Sequence, residues 1–283
     1  MPTEPSTGLL PSLAVLRIAG ADAGKFLQGQ LSNDMERLDS RQLLHAGLHN
    51  AQGRVIALLL MTRASGGDVI SLLPASVAPL VVQHLRRFVL RARVSITDDT
   101  GAWRIYGVIG GPPAVAEGVL VLGWPGATPR SCLLQPADQS PLAEGHPDFA
   151  QRWQALQMAD GIARVEAFNS GQFVAQMLNL DCIDAISFDK GCYTGQEIIA
   201  RAHYRGRVKR RMQRFISESA ANLQAGTSLT LHDGRDAVVV DALLHADGRS
   251  EFLAVTTWPA PEPAATVDGL HCTTLPLPYP LPP

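Results

Sequence analysis

The chain has 283 residues, of which 46% are hydrophobic and 18% charged, with a formal net charge of −2 at pH 7. That length suits two or three lobes rather than one small core. The longest apolar run, 55–61, is far short of the roughly 20 residues a spanning helix needs, and residues 1–8 lack the basic start and apolar stretch of a signal peptide, so a cytoplasmic location with no membrane contact is expected.

In chain order, a strand is predicted over 13–18, followed by a turn at 20–22 and an amphipathic helix with Phe26, Leu27 and Leu31 on one face. Gln30, Asn33 and Asp34 close this helix as a polar cluster, in which Asn33 and Asp34 read as its cap and terminator. Strand-like runs follow at 43–48, 55–61 and 69–73, and the turn at 50–53 makes the first two a hairpin. Pro74 opens a helix whose apolar face uses Val77, Leu80, Val81, Leu85 and Val89. Further strands are expected at 94–97, 103–108 and 119–122, so the pattern is α+β, with helices laid on mostly antiparallel sheets. Residues 125–147, rich in Pro, Gly, Ser and Ala, form a connection with one short strand near 131–134. A helix over 149–161 carries Trp153, Leu156 and Gln157 at helical spacing, and Trp153 is either core or a stacking surface for an aromatic ligand. From 208 to 257 short apolar strands alternate with turns such as Asp233-Gly234 and Asp247-Gly248, the texture of a small sandwich or barrel. The tail, 275–283, is Pro-rich and extended. His45 and His49 alternate on one strand, but no third ligand accompanies them, and a polar strand face is the preferred reading.

The most informative segment is Lys190-Gly191-Cys192-Tyr193-Thr194-Gly195-Gln196-Glu197. Thr194 and Glu197 have the spacing of a capping box, with the apolar run 198–200 behind them, so a helix is predicted from about Gly195 to about Arg205, with Gly206 just past its end. Cys192 then lies two residues ahead of the cap, where a helix N-terminus and Lys190 both favour a thiolate. Cys132, Cys182, Cys192 and Cys272 show no CxxC or paired zinc spacing, so no metal site is assigned and reduced thiols are expected. Beyond the turn, Arg201, Arg205, Arg207, Lys209, Arg210, Arg211 and Arg214 occur with no acidic residue among them. In a slightly acidic chain this is a local cluster, suited to a polyanionic partner or to a solvated strand edge. His203 beside it is read as a solvated helix-end histidine or an anion contact.

Lys190 to Glu197, continued by Ile198-Ile199-Ala200-Arg201, resembles the signature of the YgfZ/IBA57-type folate-binding proteins, relatives of the aminomethyltransferase (T-protein) of the glycine cleavage system. Gly20-Ala21-Asp22 with Phe26 to Asp34 resembles that family's first helix, Gly53-Arg54-Val55 its hairpin, and Ser170-Gly171-Gln172-Phe173, Gln176, Asn179-Leu180-Asp181 and Ile186-Ser187-Phe188 the approach to the cysteine motif. Tyr204-Arg205-Gly206 and Lys209-Arg210-Arg211 resemble the family's segment just beyond that motif. The resemblance implies two α+β lobes, one combining about 10–48 with 145–205 and the other about 49–144, plus a C-terminal β-barrel over 206–283, all around a central channel. It implies that the channel holds tetrahydrofolate or a derivative, with Trp153, Gln30, Asn33, Asp34, Gln176, Asn179, Tyr193, Gln196, Glu197, Arg201 and Arg205 as binding residues and Cys192 with Lys190 as the functional thiol and its neighbour. Leu13 stands where some members have a tryptophan. The T-proteins carry acidic residues shortly after the hairpin glycine, one of them catalytic, whereas this chain has Ala57 and Leu58, which cannot orient a reacting nitrogen. The expected function is therefore a folate-binding accessory factor for the maintenance or assembly of iron–sulfur enzymes and for tRNA modification, with iron–sulfur client proteins and tRNA as possible partners. In that role Cys192 acts by transient iron ligation or by redox exchange. The alternatives are a folate-dependent aminomethyl or one-carbon transferase and an RNA-binding module.

Overall fold

A computed structural model describes residues 6–38, 42–64, 66–111, 115–142, 148–206, 208–218, 223–260 and 269–282. The first strands and helices are β1 (Ser6–Leu9), β2 (Leu13–Ala19), α1 (Ala23–Gln30), β3 (Leu44–His49), β4 (Val55–Arg63), β5 (Val69–Pro74), α2 (Ala78–Arg86) and β6 (Ser95–Asp98). β2 to β6 form one antiparallel sheet in the order β3-β4-β5-β2-β6. The expected hairpin is β3–β4, closed by the Gly53 N–H to Asn50 carbonyl bond of 2.9 Å. A lobe boundary near 48–49 would run through this hairpin, whose two strands share one ladder.

β4 reads as an unbroken apolar run because both of its faces are covered. Ala57, Leu59 and Met61 face one core with α1 and α2, while Leu58 and Leu60 belong to cores on the opposite side. The helix expected from Pro74 is α2, Ala78–Arg86, so Val89 lies beyond its end; Val77, Val81 and Leu85 are buried, but Leu80 is 42% exposed.

The second sheet adds β7 (Trp103–Ile109), β8 (Leu120–Trp124) and β9 (Arg130–Pro136) to β1, in the order β1-β7-β9-β8. β1 has no counterpart among the predicted elements: Ser6-Thr7-Gly8-Leu9 is short and lacks an apolar alternation, and its pairing partner lies about a hundred residues on, Gly8 opposite Gly107. Those two glycines matter. A Cβ on Gly8 would stand 2.3 Å from the Phe149 ring and one on Gly107 2.7 Å from the Trp153 ring. Their bare backbone lets α3 (Phe149–Ala159) lay both rings directly on the sheet.

After α3 the chain makes a 3₁₀ turn at Ala175–Leu178, places Asn179 in the left-handed region (φ 56°) and enters α4 (Gln196–Tyr204). The remaining strands are β10 (Arg210–Ser217), β11 (Ser228–Thr230), β12 (Asp236–Leu244), β13 (Ser250–Thr257) and β14 (Thr273–Leu275), an antiparallel sheet in the order β11-β12-β13-β10-β14. The C-terminal unit is all-β as expected, but it is not a barrel closed by paired strands. Among the described residues its edges meet only at one isolated bridge, Leu231 to Leu270. The ends of the expected lobes near 144–145, and Arg207 of the basic cluster, fall outside the described residues. No helix among them is long and apolar enough to cross a membrane.

Candidate functional site

The capping box does not form. Gly195, not Thr194, is the N-cap of α4, in the left-handed conformation (φ 83°) and without a side-chain cap bond. The cause is a close approach: a Cβ on Gly195 would lie 2.5 Å from the Asn50 carbonyl oxygen and 3.1 Å from the Gly53 Cα. The β3–β4 turn is thus seated against the start of α4, and only glycine fits there. Shifting the cap by one residue moves Glu197 out of box spacing, although it still lies in the first turn, where the helix dipole favours an acid.

Cys192 is exposed on this turn. Lys190 is not free to serve it. Its Nζ donates to the carbonyls of Gln28 (2.6 Å), Leu31 (2.7 Å) and Asn33 (3.0 Å), and the ammonium also sits 5.2 Å from the centre of the Tyr193 ring. Burial pulls Lys190 down to about 8, opposed by Asp34, so it remains charged at neutral pH. Asn33 donates to the carbonyls of His45 and Asp184, and Asp34 caps the Met35–Arg37 turn. Gln30 ends α1 with its Oε1 buried and unpartnered among the described residues. Gln176 donates to the Ile199 carbonyl and Asn179 to the Met212 carbonyl. Tyr193 is buried, which pushes its phenol up to about 12. These residues come together as a polar brace between α1, the cysteine turn and β10.

Gln196 follows the cap and is half-buried. Glu197, Arg201 and Arg205 line a shallow open groove on the outer face of α4 with Tyr204. The basic cluster beyond it is not a continuous patch. Arg211 is 3% exposed, bonded to Asp181 at 2.9 Å and to the Gln176 carbonyl. Arg214 pairs with the buried Glu251 at 2.8 Å, while Arg201, Arg205 and Lys209 stay exposed. His203 stacks on Phe188, ring centres 3.8 Å apart.

Of the residues singled out for ligand binding, Trp153 alone lines an apolar cavity of about 300 Å³. Its walls are apolar, with Leu13, Leu58, Leu60 and Leu72 opposite Trp153 and Trp124. Trp153 is core, 3% exposed, and its side chain also lines the cavity. Trp124 meets it edge-on at 5.0 Å and the Arg130 guanidinium lies 5.0 Å from its ring centre. Leu58, in the stretch where the resemblance expects acids, gives the wall only hydrocarbon.

Sequence reasoning misses the polar part of the cavity. Asp241, Arg164, Gln154 and Gln157 line it, as does His45, whose Nε2 has no partner among the described residues. Asp241 sits in the apolar strand β12, and a register shift between Val239 and Asp241 marks a bulge there. An acid in the interior of the apolar strand Asp236–Leu244 was the available signal. His45 and His49 do not share a site: His45 faces the cavity, while the His49 ring packs at Gly47 and 6.2 Å from Tyr193. No cluster of three or more metal-ligating side chains exists among the described residues.

Burial holds His45 down to about 4 and His49 down to about 3. Both are neutral in the fold but protonate in the unfolded chain below about 6.5. The unfolded state therefore takes up more protons as pH falls, and stability is lost from about pH 6.5 downward. Asp241, raised by burial to about 6, works in the opposite sense, because the fold retains its proton where the unfolded chain releases it. Two histidines against one carboxyl leave a net loss of up to about 1.4 kcal/mol per pH unit between roughly pH 6 and 4. Urea unfolding at pH 7 and pH 5 measures this; equal stability at the two would show that the histidines do not lie buried and neutral.

The three sheets and the aromatic cavity place the chain in the aminomethyltransferase T fold. It superposes on the crystal structure of glycine cleavage system aminomethyltransferase T from Bartonella henselae with a TM-score of 0.66, covering 93% of this chain and 88% of that one at 13% sequence identity. The particular family comes from closer relatives. The chain is 33% identical over 300 residues to the tRNA-modifying protein YgfZ of Edwardsiella ictaluri (strain 93-146), covering 93% of this chain and 89% of the relative. It is 30% identical to proteins of the same name from Shigella dysenteriae serotype 1 (strain Sd197) and Escherichia coli (strain SE11), in each case over 85% of this chain and 82% of the relative. The chain belongs to the YgfZ family. No family model matches it.

Proposed function

We propose that this protein is a reduced-folate-binding accessory factor that supports iron–sulfur enzymes, including enzymes that modify tRNA, and that Cys192 presents its thiol to such a client. The observation that carries the reading is the Trp153 cavity: an apolar, aromatic-walled space with a few polar groups converging on it, the usual form of a site for a flat heteroaromatic ligand. The residues present fit a pterin. Trp153 and the leucines supply apolar walls, and Asp241 and Gln154 supply polar partners for the ring edge. A bound tetrahydrofolate would supply one-carbon or reducing chemistry; the chain's own residues bind it and keep water from its ring. Because Leu58 leaves that wall without a carboxylate, aminomethyl transfer is disfavoured. Because Arg211 and Arg214 are spent on Asp181 and Glu251, tRNA is better read as the client's substrate than as a ligand of this cluster.

The test is a titration with a stable reduced folate, read by calorimetry. Trp153 is also core, so Trp153→Phe is the informative variant; it should weaken binding about tenfold, the scale of a lost aromatic contact. Cys192→Ala should leave both binding and melting temperature unchanged while abolishing support of tRNA modification in a deletion strain. Multiple turnover of a one-carbon folate by the purified protein would sink the accessory reading, and full cellular activity of Cys192→Ala would remove the thiol from it.

A further inference from the structure

The Asp241 carboxylate is only partly satisfied. The residue is 6% exposed. Its Oδ1 accepts the Gln154 Nε2 amide at 2.8 Å and the Ala242 N–H at 3.0 Å, while no described residue donates to Oδ2. The cationic side chain nearest in chemistry, Arg164, is turned to Glu166 at 2.5 Å. Oδ2 is not among the enclosed unpartnered atoms, so it is open to a donor from water or from a ligand in the cavity. Asp241 lines the cavity, and the bulge in β12 is what brings it there. Gln154, which fixes Oδ1, is the residue next to Trp153 on α3, so the acceptor and the aromatic wall are held by the same helix.

A carboxylate at the edge of a flat, apolar slot matches one kind of ligand edge in particular: two parallel N–H donors in the plane of an aromatic ring. Neutral carbonyl-rich heterocycles lack that edge, and the 2-amino-4-oxopyrimidine ring of a pterin has it in its N3–H and 2-amino group. We propose that Asp241 is the specificity determinant of the cavity, accepting the paired N–H donors of the 2-amino-4-oxopyrimidine edge, with Gln154 as its positioning residue. This rests on the folate reading and adds the group that selects the ring.

The experiment compares 5-formyltetrahydrofolate with its 2-desamino-2-methyl analogue, which keeps the ring and loses the exocyclic donor, on wild type and Asp241→Asn. Wild type should prefer the 2-amino ligand by about ten- to a hundredfold, the range expected for a hydrogen bond to a charged group. In Asp241→Asn that preference should collapse, with binding of the 2-methyl analogue, which keeps only the N3–H donor, weakened less than that of the 2-amino ligand. If the variant does not fold, wild type still decides. The charged and titratable groups around Asp241 are Arg164, Glu166 and His45, and His45 stays neutral above about pH 4. Between pH 8 and 5 the affinity for the 2-amino ligand should therefore fall as Asp241 protonates, and fall more steeply than that for the analogue, which keeps one donor of the pair. Equal affinities of wild type for the two ligands, or parallel pH profiles, overturn the role of Asp241 and leave folate binding standing. Failure of wild type to bind either ligand overturns the folate reading itself.

Discussion

Lys190→Met is expected to lower the unfolding free energy by about 2–4 kcal/mol, whereas Cys192→Ala, two residues away and exposed, should change it by less than about 0.5 kcal/mol. The contrast follows from what each side chain touches. The Lys190 ammonium donates to the carbonyls of Gln28, Leu31 and Asn33, which lie at and just beyond the end of α1. Helix ends leave carbonyls without partners, and the dipole makes that end favourable for a cation. Methionine keeps the length and the apolar stem but removes the charge and all three bonds, leaving half-buried oxygens unpaired. Urea unfolding of the two variants checks it. An unchanged midpoint for Lys190→Met would mean that the ammonium is dispensable to the fold and available to Cys192.

The second large effect is expected at Asp160. Its carboxylate bonds the Arg130 guanidinium and accepts the Ala127 N–H at 2.8 Å. The Arg130 side chain is 0% exposed, and its Nε and Nη1 have no partner among the described residues. Burial pulls Arg130 down and pushes Asp160 up, each opposed by the other's charge. Asp160→Ala leaves a buried guanidinium without its counter-charge, a loss of about 3–5 kcal/mol. Replacing both by apolar residues of similar size should recover most of it, because the desolvation cost then disappears with the pair. A double-mutant cycle on thermal unfolding measures the coupling, and near-additive single and double variants would contradict it. The pair also bears on the cavity, since Arg130 lies over the Trp153 ring; if the cavity holds the proposed folate, the apolar double variant should also alter that affinity.

Much of the local structure was legible. The runs at 55–61 and 103–108 are strands because their apolar residues serve covered faces, and the turn at 50–53 closes a hairpin as its sequence implied. Trp153, a large aromatic ring on a helix face, is buried core and also lines the cavity. The failures share a cause. Thr194 and Glu197 have capping-box spacing, but the approach of Gly53 to Gly195 sets the cap elsewhere. Arg211 looked like part of a surface cluster, but Asp181 holds it inside. Asp241 drew no notice, since nothing in Asp236–Leu244 shows which side of the strand faces a cavity.

The sequence by itself determined most of the strands and helices in their order, though neither β1 nor β14, the all-β character of the C-terminal unit and, through the cysteine turn, the family. Those are set by local periodicity, turn chemistry and a contiguous motif. Only the tertiary structure decided what the polar side chains do. Lys190 finds its carbonyls up to 162 positions away and Asp241 its Gln154 partner 87 away. A buried polar group is governed by whichever donor or acceptor the packed chain brings within hydrogen-bond reach, and no local pattern of residues encodes that meeting.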